Sequence, residues 1–186
     1  VALLFDERYG AADIARRIND IGRRVAFDYK NGPIVLVAVL KGAGFFVADL
    51  ARAIPRSVRC EYIDVIRKGE DEEVTALNFI TSFDVKDANV IVLKDVTRSG
   101  VTETYLVNQL LELSPRSIRF AALVDRPQER KCPLLVDYVL FPSEEGILVG
   151  YGMEYTGEGG NLPFIAQVRT EGEAPFDASD PGSRRA

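Results

Sequence analysis

Apolar residues along this chain follow two periods. Between residues 11 and 29, Ile14, Ile18, Ile21 and Val25 recur at intervals of three and four, with Arg16, Arg17, Arg23 and Arg24 between them. That spacing puts the apolar set on one face of a helix, and Asn31-Gly32-Pro33 stops it. The run Ile34-Val-Leu-Val-Ala-Val-Leu40 does not alternate and is mostly β-branched, which predicts a strand buried on both faces. Asn89-Val-Ile-Val-Leu93 repeats that pattern. Lys41-Gly42-Ala43-Gly44 predicts a tight turn, and residues 45–54 a helix ending before Pro55. Further strands are predicted over 59–66, 77–83, 117–124 and 137–141, a charged loop over 67–74, a loop over 94–100, and a helix over 101–113 closed by Ser114-Pro115. Residues 146–151 and 163–168 are short apolar segments. From Glu171 the chain turns to Gly, Pro, Ser, Asp and Arg without period, which predicts one domain over 1–170 and a disordered tail over 171–186.

Strands alternate with helices through the middle of the chain. This predicts an α/β fold, a doubly wound and mainly parallel sheet flanked by helices, with ligands outside the carboxyl ends of the strands. The longest apolar run, 34–40, is too short to span a bilayer, so no membrane association is expected. The first residues carry Asp6 and Glu7 rather than a basic secretory start, and a cytoplasmic location is expected. Net charge is −5, which argues against nucleic-acid binding through a general basic field but leaves room for a local basic site. There is no histidine. That excludes Ser-His-Asp and Cys-His catalysis and histidine-ligated zinc, and leaves proton transfer to carboxylates, lysine, tyrosine or the substrate. Cys60 and Cys132 are too few for a disulfide framework and stand in no metal-ligand spacing.

The segment from Val90 to Thr102 carries the candidate chemistry. A buried strand runs into Asp95, then a short loop of small and hydroxyl residues, then a helix. Such a loop presents backbone amides at a helix N-terminus, which suits a phosphate. Thr97, Ser99 and Thr102 can donate to phosphate oxygens, Gly100 permits close backbone approach, and Asp95 can hold ribose hydroxyls or hydrated Mg²⁺. Spacing alone leaves open an ordinary strand–loop–helix connection with a capping hydroxyl.

This segment resembles the phosphoribosyl-diphosphate motif of type I phosphoribosyltransferases: hydrophobic strand, two acidic residues, then a loop ending Thr/Ser-Gly-x-Thr. Val39-Leu-Lys-Gly42, with Phe45-Phe46 and Ala48-Asp49-Leu50 after it, is similar to the diphosphate-binding loop and helix of hypoxanthine-guanine phosphoribosyltransferases. Leu123-Val-Asp-Arg-Pro127 resembles the segment with their purine-reading lysine. Val149-Gly-Tyr-Gly-Met-Glu-Tyr155, with Asn161-Leu-Pro163, resembles their C-terminal hood and magnesium site. The likeness covers roughly residues 3 to 169, in family order.

The resemblance implies purine salvage: transfer of phosphoribosyl from 5-phosphoribosyl 1-diphosphate to a 6-oxopurine base, with Mg²⁺, in a dimer or tetramer. It places Lys41 and Gly42 at the diphosphate. Lys94, Asp95, Thr97, Arg98, Ser99, Gly100, Val101 and Thr102 fall at ribose and phosphate, Asp95 and Arg98 at the catalytic position, and Arg126, Ile147 and Leu148 at the base. Asp95 and Glu154 are the implied metal ligands.

Several positions depart from the family pattern. Lys94 replaces the first acidic residue, and Arg98 the aspartate that accepts a proton at the purine. Arginine cannot accept one. Arg126 replaces the lysine, Ile147 the stacking aromatic ring, Glu154 an aspartate and Gly160 an arginine that binds diphosphate, and the 67–74 loop lacks the Ser-Tyr pair of the catalytic lid. There Glu70 to Glu73 would set negative charge near a bound diphosphate, unless the loop stays open. These departures gather at the chemistry, so the expectation is weak or altered turnover. The alternative is a nucleotide-binding or regulatory paralogue using the same loop without turnover. A structural partner that keeps only the fold is a third reading, and an RNA-binding attenuation regulator, which residues 123–127 also resemble, is a minor one.

Overall fold

The computed structural model describes residues 2–68, 73–80, 83–143 and 146–171. In chain order the elements are β1 (Leu3–Tyr9), α1 (Ala11–Asp28), β2 (Ile34–Leu40), α2 (Gly44–Ala53), β3 (Arg59–Lys68), β4 (Glu73–Phe79), β5 (Asn89–Thr97), α3 (Val101–Leu111), β6 (Ser117–Asp125), β7 (Tyr138–Pro142), β8 (Leu148–Val149) and β9 (Ile165–Thr170).

The unbroken apolar run of β2 occupies the position it predicts. It pairs in parallel with β3 on one side and β5 on the other, within a six-stranded sheet of order β4-β3-β2-β5-β6-β7. Only the β3–β4 pair in this sheet is antiparallel. Alternate residues of β2 and β5 serve opposite faces. Leu36, Ala38, Ile91 and Leu93 pack with α1 and α2. Val35, Val37, Val39, Val90 and Val92 pack with Leu106 and Leu110 of α3. Burial on both faces is why neither strand shows the two-residue alternation of a half-exposed one. The arginine-flanked stripe of α1 buries Ile14, Ile18, Ile21 and Val25. At Gly22 an added Cβ would lie 2.6 Å from the Ala53 carbonyl oxygen, so α1 and α2 cross there with almost no gap.

A second, antiparallel sheet of order β1-β9-β8 forms a hood. It docks through Leu148, Tyr151, Met153 and Ile165, which join the α1–α2 side of the core. The Tyr151 hydroxyl donates to Asp49, and its ring meets Phe45 edge-on at 6.0 Å.

Three expectations change. β1 was not predicted as a strand. The 67–74 stretch is not simply a loop: β3 runs on to Lys68, and Arg67 and Lys68 pair with Val74 and Glu73 in a hairpin, while residues 69–72, including Glu70, lie outside the described residues. The strand predicted over 77–83 is β4, which ends at Phe79. The tail from residue 172 also lies outside the described residues. Among the described residues no helix is long and apolar enough to cross a membrane.

Candidate active site

Chain order and spatial order part company beside β2. The connection through α2 leads to β3 on one flank, and the chain then returns to β5 on the other. Such a reversal opens a crevice at the carboxyl ends of the strands. A cleft of about 1060 Å³ lies there, lined by Lys41, Gly42, Lys94, Asp95, Arg98 and Ser99, by Val101, Thr102 and Glu103 of α3, by Arg126 and Lys131, and by Ile147, Leu148 and Glu154 of the hood region.

The turn after β2 is closed by the Ala43 amide on the Val39 carbonyl and the Gly44 amide on the Lys41 carbonyl. It rests against the end of β5. A Cβ at Gly42 would fall 2.0 Å from Asp95 Oδ2, so only glycine lets the backbone lie on that carboxylate. Asp95 Oδ1 accepts from the Val96 amide at 2.7 Å and stands 3.7 Å from Lys94 Nζ. Lys94 is 6% exposed. The lysine at the position where the resemblance implies a carboxylate is therefore largely buried and held beside Asp95.

The loop into α3 is braced from behind. The Lys131 and Cys132 amides both donate to the Ser99 carbonyl. Gly100 takes φ 82° as the N-cap, and a Cβ there would come 3.0 Å from the Cys132 carbonyl. The N-cap Gly100 has no side chain to cap α3, and among the described residues the one side-chain partner of the first turn's amides is the Ser99 hydroxyl, which accepts from the Val101 amide at a long 3.4 Å. The first helical turn therefore keeps amides available toward the cleft, in the field of the helix N-terminus. Thr97 departs from expectation. It is wholly buried, does not line the cleft, and its hydroxyl donates to Asp125. It ties β5 to β6 because β5 continues through residues 94–97, pairing Thr97 with Asp125, where a loop was expected.

Beyond this loop, Arg126 is 4% exposed. Its guanidinium donates to the Gly146 carbonyl and pairs with Glu129 Oε1 at 3.3 Å. Glu129 Oε2 also lies 3.9 Å from Arg98 Nε. Burial pulls Arg126 below the usual arginine pKa, the nearby Arg98 charge adds to this, and Glu129 opposes it. Ile147 is 42% exposed at the same end, and Leu148 is buried. Glu154 reaches the cleft because the hood turn seats on the β2 loop: a Cβ at Gly152 would be 2.9 Å from the Gly42 carbonyl. Gly160 lies against Glu154, where a Cβ would be 2.6 Å from its Cγ.

Of the residues expected at the site, Thr97 and Gly100 stay behind the lining and the others line it. Three charged residues were not anticipated: Glu103, Lys131 and Glu129. Glu103 is 3% exposed in the first turn of α3 and lines the cleft. A carboxylate three residues before the buried Leu106 is its only trace in the chain. Among the described residues five cationic side chains and three carboxylates line the cleft, which makes their contribution locally basic in an acidic protein.

A family model described as a phosphoribosyl transferase domain matches residues 7–156. The chain is 32% identical over 167 residues to a hypoxanthine-guanine phosphoribosyltransferase of Mycobacterium avium, covering 85% of this chain and 82% of that one. It is 28% identical over 160 residues to the Bacillus subtilis enzyme of the same name, covering 84% and 89%. A crystal structure of a hypoxanthine-guanine phosphoribosyltransferase from Bacillus anthracis superposes with a TM-score of 0.81 at 28% identity, over 90% of this chain and all of that one. A Staphylococcus aureus hypoxanthine phosphoribosyltransferase superposes at 0.82 with 25% identity, over 88% and 91%. The fold, the cleft at its switch point and these likenesses together place the chain in the type I phosphoribosyltransferase family.

Proposed function

We propose that this chain binds 5-phosphoribosyl 1-diphosphate in the cleft and transfers its phosphoribosyl group to a purine-type base in salvage, with weaker turnover than an unaltered site would give. The observation that carries the reading is that one cleft is lined by residues of all four family-like motifs, Lys41 and Gly42, Asp95 to Thr102, Arg126, and Ile147 to Glu154. In this reading Lys41 and the turn amides face the diphosphate. The α3 amides of Val101 and Thr102, with the Ser99 and Thr102 hydroxyls, take the 5-phosphate. Asp95 holds ribose hydroxyls, Arg126 donates to the ring oxygen, and Ile147 and Leu148 border the ring. Thr97 and Gly100 shape the loop without touching the ligand. The residues do little covalent work. They position the reactants and stabilise the departing diphosphate.

Mg²⁺ fits this site. The described residues hold no cluster of three or more metal-ligating side chains. Mg²⁺ is ordinarily held by one or two carboxylates together with substrate phosphates and water. Asp95 and Glu154 supply those carboxylates on the cleft wall. When bound, the ion would neutralise diphosphate charge. Lys94, at 3.7 Å from Asp95, competes for the same carboxylate and weakens that binding. Self-association as a dimer or tetramer belongs to the same reading and is read by sedimentation.

The test is production of nucleotide and diphosphate from the sugar donor, Mg²⁺ and a panel of bases. Absence of product with every base sinks the transferase reading. The second reading, a nucleotide-holding protein without turnover, is favoured by the cations Lys94 and Arg98 in an anion site. In that case nucleoside monophosphates raise the melting temperature although no product forms.

A further inference from the structure

The ring end of the cleft holds more positive charge than a neutral base can use. Arg98 and Arg126 both line it. Glu129 lies against the two guanidinium groups, 3.9 Å from one and 3.3 Å from the other. It stands on a single 3₁₀ turn, Pro127–Glu129, with its side chain 39% exposed. Arg126 is fixed from behind by the Gly146 carbonyl, whereas Arg98 is 55% exposed. Glu129 does not itself line the cleft but a smaller pocket that shares Arg98, Ser99 and Lys131 with it, so the protein's own carboxylate meets the two arginines from outside the cleft. Lys131 adds a third cation to the lining.

We propose that this end of the cleft selects a ring bearing negative charge, either a deprotonated oxo-ring or a ring carboxylate, which competes with Glu129 for Arg98 and Arg126. This rests on the phosphoribosyl reading of the cleft. A neutral oxopurine offers Arg126 an acceptor and gives Arg98 nothing. An anionic ring satisfies both, with charge-assisted hydrogen bonds. Ile147 contributes aliphatic contact that is indifferent to ring charge, so discrimination falls to the arginines.

The same choice removes a difficulty in the chemistry. A neutral base must lose a proton as its nitrogen bonds to the ribose, and Arg98 cannot take one. A ring carboxylate keeps that proton and releases it to water, whereas an oxo-ring deprotonated at nitrogen arrives without it. The nitrogen–C1 bond forms, the bond from C1 to diphosphate oxygen breaks, and the electron pair leaves with the diphosphate. No proton then needs an acceptor at position 98.

Calorimetric titration of the full chain tests this with three 5-monophosphates that share ribose and phosphate: inosine (neutral ring), xanthosine (readily deprotonated ring) and orotidine (ring carboxylate), at mildly alkaline pH. 5-Phosphoribosyl 1-diphosphate with Mg²⁺ is titrated in parallel. The expected result is binding of the two charged rings about tenfold tighter than the neutral one, the scale of one charge-assisted hydrogen bond. Glu129→Gln should widen that ratio by removing the competing carboxylate, and Arg98→Ala should abolish it. A charged-ring advantage confined to xanthosine or to orotidine identifies which anion the site takes. Equal affinity for all three rings, unchanged by either variant, overturns the proposal while sugar-diphosphate binding leaves the family reading standing. Failure of every ligand, the sugar diphosphate included, overturns both.

Discussion

Alanine at Gly42 tests the contact on which the cleft is built. The new Cβ would sit 2.0 Å from Asp95 Oδ2, 2.5 Å from its Cγ and 2.8 Å from its Cβ, whereas ordinary contact begins at 3.4 Å. The turn and the carboxylate must separate by more than an ångström. Asp95 cannot simply rotate away, because its other oxygen is held by the Val96 amide and lies beside Lys94. Overpacking of this kind costs about 1–3 kcal/mol. For a chain of this size each kcal/mol lowers the melting temperature by about 2–4 °C. Because Lys41 and Asp95 both line the cleft, a shift of that size should, on the proposed reading, also weaken sugar-diphosphate binding, by up to about a hundredfold. Gly44→Ala, two residues away, is the control. Nothing lies within 4 Å of a Cβ there and the residue opens α2, so alanine should stabilise by about 0.4–1 kcal/mol. Scanning calorimetry of both variants, with titration of 5-phosphoribosyl 1-diphosphate, reads the outcome. A Gly42→Ala protein that melts and binds like the parent would refute the seating of the turn on Asp95.

Thr97→Val should lower stability by about 1 kcal/mol through loss of the buried bond to Asp125, with phosphate-ligand affinity intact; a drop in affinity at unchanged melting temperature would return Thr97 to the phosphate site. Lys94→Glu should strengthen Mg²⁺-dependent binding of the sugar diphosphate by roughly tenfold, about 1.4 kcal/mol, and lower metal-free stability by crowding two carboxylates; calorimetry with and without Mg²⁺ measures both, and weaker Mg²⁺-dependent binding would contradict the competition described above. Burial and neighbouring carboxylates raise the pKa of Tyr138 (Asp28) and Tyr151 (Asp49) above the ordinary 10.0. The folded state then keeps protons that the unfolded chain releases, so stability is complete below pH 10 and falls as pH rises beyond it. Denaturant midpoints across that range should decline, and Tyr151→Phe should flatten the decline; a midpoint independent of pH would contradict it.

Local pattern served some elements better than others. The stripe of α1 and the continuous runs of β2 and β5 were legible because each states its own burial in consecutive residues. β1 was not: Leu3 to Tyr9 mixes apolar and charged positions, and every residue in it is only half buried or exposed. The last residues of β5 read as loop because they turn polar, yet pairing with β6 holds them extended as far as Thr97. That pairing turns the Thr97 hydroxyl away from the cleft.

By itself the sequence determined the alternation of strands and helices, the absence of histidine chemistry, the order of four family-like motifs and the unusual cations at positions 94 and 98. Tertiary structure alone decided that Gly42 lies on Asp95, that Lys94 is buried, that Glu129 stands against two arginines, and that Glu103 lines the cleft. The physical reason is range. Periodicity is set by neighbours a few residues apart, whereas the cleft joins residues from position 41 to position 154, and their distances follow from sheet register and from how the hood turn packs on the β2 loop.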